Sequence, residues 1–179
     1  MILPEAKLHA LFEIIERDGD YTMFYHPRRC FTIDAPVDTA IGKILHESYS
    51  KRRIVPQFLD LTTDLGVPTY RAFVKINGSV VSGSGTHLNA KIAVTRAICE
   101  LNVKLAVYEK DYGLGNLSSE LASNRVLKLE DLPNYSTASV KRDLELTERL
   151  LLANGFNPNT SFDKRNVEKT KENFLECAI

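Results

Sequence analysis

At 179 residues, 44% hydrophobic and 26% charged, the chain has the size and composition of one ordered globular domain able to bury a core. Lys and Arg number 23 and Asp and Glu number 23, so the formal net charge is zero, which leaves no electrostatic footprint for nucleic acid or an anionic membrane. No apolar run is long enough to span a bilayer, Met1 to Glu5 lacks the basic start of a signal peptide, and Cys30, Cys99 and Cys177 show no metal-ligand spacing. A cytoplasmic protein with reduced thiols is the expectation.

The first element reads as a helix from about Pro4 towards Tyr25. Leu8, Leu11, Phe12 and Ile15 recur at i, i+3, i+4 and i+7 and make one apolar stripe. Glu13, Glu16, Arg17 and Asp20 fall on the opposite side, with His9 one turn upstream. Two carboxylates at i, i+3 repel mildly on a bare helix. They become useful when magnesium bridges them, since that ion takes carboxylate oxygens and leaves positions for water and phosphate. Arg17 offers a fixed fork of donors to the same phosphate. A solvated helix face with an i, i+4 pair is the competing account of the same residues.

Cys30–Asp34 reads as a short strand, 37–51 as a second helix with Asp38 or Thr39 in its first turn, and 54–62 as a strand. Asp64 to Pro68 has turn chemistry. Asn77-Gly78 between the β-rich runs 69–76 and 79–82 is a hairpin signal. Gly83-Ser-Gly-Thr-His87 reads as a glycine-rich turn into a helix. Its glycines either let backbone N–H groups approach an anion or simply permit positive φ. It is neither a Walker A loop nor a GxGxxG fingerprint. His87 reads as a packed or capping residue, and no Ser/His/Asp signature accompanies it or His9, His26 and His46.

Asn89 is a plausible N-cap for a helix whose Val94, Ile98, Leu101, Leu105 and Tyr108 form one stripe. Arg96, Glu100 and Lys104 share the other face, where an exposed Arg96–Glu100 pair is the simplest account. Residues 111–124 read as a loop or short helix, 129–136 as a turn, and 137–153 as an amphipathic helix ended by Gly155. Without a repeat or linker, one domain over 1–156 followed by a polar tail, 157–179, is expected; a terminal helix from Asn166 would be marginal.

Several of these blocks, in order, resemble the YcaO family: Ala6–Asp18 its second acidic motif, Phe58–Pro68 a strand and turn, Val67–Ala72, then Gly83–Asn89 and Ala93–Glu100 a glycine-rich stretch leading into an Arg-Ala-x-x-Glu helix. The resemblance runs from residue 1 to about 156. It implies an α+β fold with a mixed sheet, a hairpin at 69–82 and long amphipathic helices packed on it. It implies ATP and magnesium bound without a P-loop, and phosphorylation of a peptide amide oxygen leading to an azoline, thioamide or amidine. Glu13 and Glu16 would then be magnesium ligands, Arg17 would hold phosphate, Arg96 would contact the nucleotide, and Glu100 would serve metal or nucleotide. The family's earlier acidic helix has no counterpart here, and Val103 stands where its glutamine is usual. Both ends thus look cut. The expectation is part of a split or truncated enzyme acting on a peptide or protein, with a partner subunit or a second copy completing it. Two rivals remain at this level: a YcaO-like interaction protein without ATP chemistry, and an unrelated α+β domain with decorative carboxylates.

Overall fold

The computed structural model describes residues 3–22, 29–52, 54–76, 78–113, 117–118 and 123–158. In chain order the elements are α1 (Leu3–Thr22), β1 (Cys30–Asp34), α2 (Ala40–Lys43), β2 (Gln57–Asp60), β3 (Thr69–Ile76), β4 (Ser79–Thr86), α3 (Ala90–Tyr112), β5 (Leu117–Ser118), β6 (Val126–Lys128) and α4 (Val140–Ala153). The expected readings at 23–25, Asn77, Cys177 and most of the tail lie outside the described residues.

β3 and β4 pair antiparallel over their whole length, from Thr69↔Thr86 to Ile76↔Ser79, and Gly78 turns the chain with φ 78. The six-stranded sheet runs β4-β3-β2-β1-β6, with β5 pairing to β3 off this path. Only β1–β6 is parallel, so the sheet is mixed. The α+β class with a hairpin and packed helices is therefore what the chain adopts. β5 and β6 were not among the expected strands. They are two and three residues long, too short to carry an alternation, and β6 is positioned by its pairing with β1 rather than by its own pattern.

Two further expectations are corrected. The helix expected over 37–51 starts at Ala40 and changes pitch, passing into π turns at Ile44–Tyr49 and a 3₁₀ turn at Ser50–Arg52. Thr39 caps it by accepting from Gly42 N–H at 2.9 Å. More important for function, Gly83 to Thr86 is not a turn but the second half of β4. A Cβ on Gly83 would stand 2.3 Å from Leu101 N, and one on Gly85 2.3 Å from Ala93 O. Neither glycine has positive φ. They are glycines because α3 lies directly on the strand.

α3 covers one face of the sheet. Val94, Ile98, Leu101 and Leu105 are buried as the spacing predicts, and Ala90, Ala93 and Ala97 add a small-residue stripe against the glycines. Burial of each large side chain is worth about 1.5–3 kcal/mol. Phe31, Phe58, Tyr70, Ala72, Val74 and Ile76 meet this helix from the strands. A second core joins Leu8, Leu11, Phe12 and Ile15 of α1 to Leu65, Val67, Leu88 and Leu151. Lys7 and Glu148 pair across α1 and α4 at 2.5 Å. Val140 is exposed, against the expected stripe of α4, whereas Asp143 is buried and anchors the preceding loop. It accepts from Ser136 Oγ at 2.6 Å, Thr137 N at 2.7 Å and Thr137 Oγ1 at 2.8 Å, bonds that hold its carboxyl below the ordinary value although burial works the other way. α4 ends in a Schellman arrangement, with Phe156 N–H donating to Leu151 O and Gly155 at φ 84.

Candidate functional site

Alternation along β3 and β4 sends Arg71, Ser82 and Ser84 to the sheet face opposite α3. There the polar side of α1 looks across at them, and α3 reaches over the free edge of β4. The result is a cleft of about 480 Å³ with α1 contributing His9, Phe12, Glu13, Glu16, Arg17 and Asp20. Arg96, Glu100 and Lys104 of α3 close its other wall. All five residues singled out in the sequence, Glu13, Glu16, Arg17, Arg96 and Glu100, line this one cleft although about 80 residues of chain separate the α1 set from the α3 pair. Asp20 and Lys104 were seen on the same helix faces; Arg71, Ser82 and Ser84 were not foreseen in the site. Their signal lies in the register, since Arg71 faces Ser84 across the hairpin.

Asp20 organises the floor. Arg71 Nη2 donates to its Oδ1 at 2.6 Å and Ser84 Oγ donates to the same atom at 3.1 Å. Glu100 accepts from Ser84 N at 2.6 Å and pairs with Lys104 at 2.7 Å. Burial works to raise the Glu100 carboxyl, but Lys104 and the Ser84 amide outweigh it and hold it below the ordinary value. The expected Arg96–Glu100 pair does not form. Arg96 Nη1 donates to Thr86 O at 3.0 Å, and its guanidinium lies 5.8 Å from the centre of the Phe12 ring. Arg17 and Glu13 do pair, loosely, at 3.7 Å.

Glu16 has the least settled carboxylate. Burial pushes it up to about 7, the charges of Glu13, Glu100 and Asp20 push the same way, and Arg17 only partly offsets them. A cation entering the cleft would be drawn to this carboxylate. Among the described residues no group of three or more His, Cys, Asp or Glu forms a ready metal cage. His87 is packed rather than poised as a base: Nδ1 accepts from Asn89 N at 2.9 Å, and the ring sits 5.1 Å from Phe12. Burial and the neighbouring Arg96 lower its basicity against the pull of Asp143.

Residues 2–177 match the family described as YcaO cyclodehydratase, ATP- and Mg2+-binding. The chain belongs to the YcaO family. An uncharacterized protein of Methanothermobacter thermautotrophicus is 29% identical over 178 residues, covering 84% of this chain and 46% of that protein. Two solved structures share the fold. One is the heterocyclase TruD, at a TM-score of 0.64 and 22% identity over 86% of this chain and 24% of that one. The other is a heterocyclase in complex with substrate and cofactor, at 0.61 and 21% over 83% and 23%. The YcaO chain here thus spans about half the length of the curated relative it matches and about a quarter of each heterocyclase chain. Among its described residues no helix is long and apolar enough to cross a membrane.

Proposed function

We propose that this cleft binds ATP with magnesium and that the chain serves as a module of a peptide-modifying enzyme. The observation that carries the reading is the convergence of Glu13, Glu16 and Arg17 on α1 with Arg96 and Glu100 on α3, in a chain of this family. The donor set fits the group. Magnesium commonly keeps water and substrate phosphate and takes only one or two carboxylates, so the lack of a three-carboxylate cage is no obstacle. Glu16, crowded by like charges, and its neighbour Glu13 are the residues to hold it. Arg17 and Arg96 supply forked donors for phosphate, and Glu100 lies on the metal or nucleotide side. Asp20, by fixing Arg71 and Ser84, keeps the floor in register.

When bound, the nucleotide supplies a phosphoryl group for an amide carbonyl oxygen, which makes the carbon open to a nucleophile and leads to an azoline, thioamide or amidine. This chain's contribution is to position the reacting groups and neutralise their charge, and phosphoryl transfer is accelerated almost entirely by those two effects. The substrate is a peptide or protein. A partner subunit or a second copy is the further contributor to the site in this reading. The rival reading, a YcaO-like interaction protein without ATP chemistry, draws on the prior engagement of Glu100 by Lys104 and of Arg96 by Thr86.

Calorimetric titration of the full chain separates the two. Magnesium-ATP should bind and raise the melting temperature progressively with ligand concentration, by about 2.7 kcal/mol of stability at a hundredfold excess over Kd. Glu13→Gln combined with Glu16→Gln should remove the magnesium dependence. Absence of heat and of stabilisation at millimolar magnesium-ATP would leave the interaction protein as the better reading.

A further inference from the structure

β4 is the edge of the sheet, and its outward backbone groups fall into two halves. Ser84 N–H is taken by Glu100 and Thr86 C=O by Arg96. Backbone groups on an antiparallel strand point alternately to one neighbour and the other, so Val80 and Ser82 belong to the same outward set. Among the described residues no strand pairs with them on that side.

Two apolar grooves flank this open stretch, one on each side of the sheet. A groove of about 470 Å³ lies between the edge and α3, lined by Val103, Val107 and Tyr112. A groove of about 270 Å³ lies on the opposite face, beside Leu59, Phe73 and Lys75. Val80 and Ser82 line both, and Ser82 also lines the polar cleft. Val80, Val103, Val107 and Tyr112 are each more than half exposed. An open edge with apolar hollows on alternate sides is the geometry of strand addition, in which main-chain bonds give affinity and alternate side chains give selectivity.

We propose that the substrate peptide binds as an added strand along Val80–Ser82, seats alternate apolar side chains in the two grooves, and runs on into the polar cleft. The identity of the peptide as substrate rests on the function proposed above; the groove itself does not. At about 3.3 Å per residue the step from Val80 to Ser84 covers about 13 Å, so an amide a few residues beyond the paired segment reaches the cleft. Glu100 and Arg96 seal the edge there and end the pairing. Lys75 has no ion pair among the described residues and lines the sheet-face groove, so charge complementarity selects an acidic side chain on that side of the peptide. The fitting class is an extended segment with apolar side chains at successive positions, one set for each groove, and one Asp or Glu on the side that faces Lys75.

The test is fluorescence anisotropy on the full chain with a labelled peptide of alternating Val and Leu that carries one Glu and ends in Gly-Cys. Val103→Glu and Val107→Asp, both on the exposed side of α3, should each weaken binding about tenfold, equivalent to about 1.4 kcal/mol. N-methylation of alternate amides should abolish binding in one phase and spare it in the other, and Lys75→Ala should erase the preference for Glu over Gln. Methylation without phase dependence, or wild-type affinity in both valine variants, overturns the proposal. A dimer by light scattering that Val103→Glu dissociates and the peptide does not compete away would assign the edge to a second copy and overturn it as well. Magnesium-ATP titration of the same variants keeps the two readings apart. Retained nucleotide binding with unchanged peptide affinity counts against the added strand alone, whereas phased peptide binding without nucleotide binding counts against the ATP reading alone.

Discussion

The five residues Val81-Ser82-Gly83-Ser84-Gly85 of β4 serve two opposite environments. Val81, Gly83 and Gly85 face α3 in a dry contact so close that even a methyl group lacks room at the glycines. Ser82 and Ser84, between them in sequence, face α1 across a polar cleft with eight charged side chains in its lining. The first face is fixed by volume and the second by hydrogen bonds and charge. A change on the first should therefore cost stability, and a change on the second should chiefly cost binding.

The sharpest way to break this contrast is Gly85→Ala set beside Ser84→Ala. The added Cβ at 85 would meet Ala93 O at 2.3 Å and Ala97 N at 2.6 Å, and both are helix backbone that cannot swing aside. A loss of about 3 kcal/mol is expected in urea unfolding, at the upper end of overpacking costs. Ser84→Ala keeps the backbone and loses only the hydroxyl bonds to Asp20, for about 1 kcal/mol. Equal losses would mean that α3 yields as readily as the cleft does.

A smaller effect comes from pH. The folded value of Glu16, about 7, lies above its ordinary value of 4.5, so between these the folded state holds a proton that the unfolded chain has released. Stability from this group is full below 4.5 and declines as pH rises towards 7. Glu16→Gln should accordingly gain stability relative to the parent across that window and keep a constant advantage above it. Glu100 and Asp143 have lowered values, so their stabilisation is lost as pH falls through those values, and it is common to both proteins. Thermal melts at pH 4.5, 6 and 8 read the difference, and parallel curves would show that Glu16 titrates normally. Millimolar magnesium should shrink the advantage if the ion settles on that carboxylate.

Much of this organisation was legible in the sequence, and the parts that were not have physical reasons. The period of Leu8, Leu11, Phe12 and Ile15 fixed which side of α1 is dry, and hence that Glu13, Glu16 and Arg17 face elsewhere. The stripe from Val94 to Leu105 did the same for Arg96 and Glu100 on α3. Glycine was the ambiguous letter: Gly83 and Gly85 fit a turn as well as a strand in close contact, and only the approach of α3 decides between them. Arg71 and Ser84 carry no local signal of a site. They enter it through pairing register and through Asp20, a contact across 51 and 64 residues of chain. The alternative partners of Arg96 and Glu100 were also beyond local reasoning, because an unpaired strand edge competed for both side chains.

The finest test of the contrast uses a largely exposed member of the cleft. Arg17 keeps 81% of its side chain open to solvent and Glu13 47%, at 3.7 Å from each other. A pair of that kind contributes about 0.2–0.5 kcal/mol on a helix surface, so Arg17→Ala should barely move the urea midpoint. Its charge nevertheless lies on the rim of the cleft, where a phosphate would be within reach, and magnesium-ATP affinity should fall about tenfold, equivalent to about 1.4 kcal/mol. The loss should lessen as salt rises, since exposed charges are screened over about 8 Å at physiological ionic strength. Arg142→Ala is the matched control, an exposed arginine on α4 that does not line the cleft. If both variants bind magnesium-ATP alike, Glu13 and Arg17 are an ordinary solvated pair, and the nucleotide reading must rest on Arg96, Arg71 and Glu16 without them.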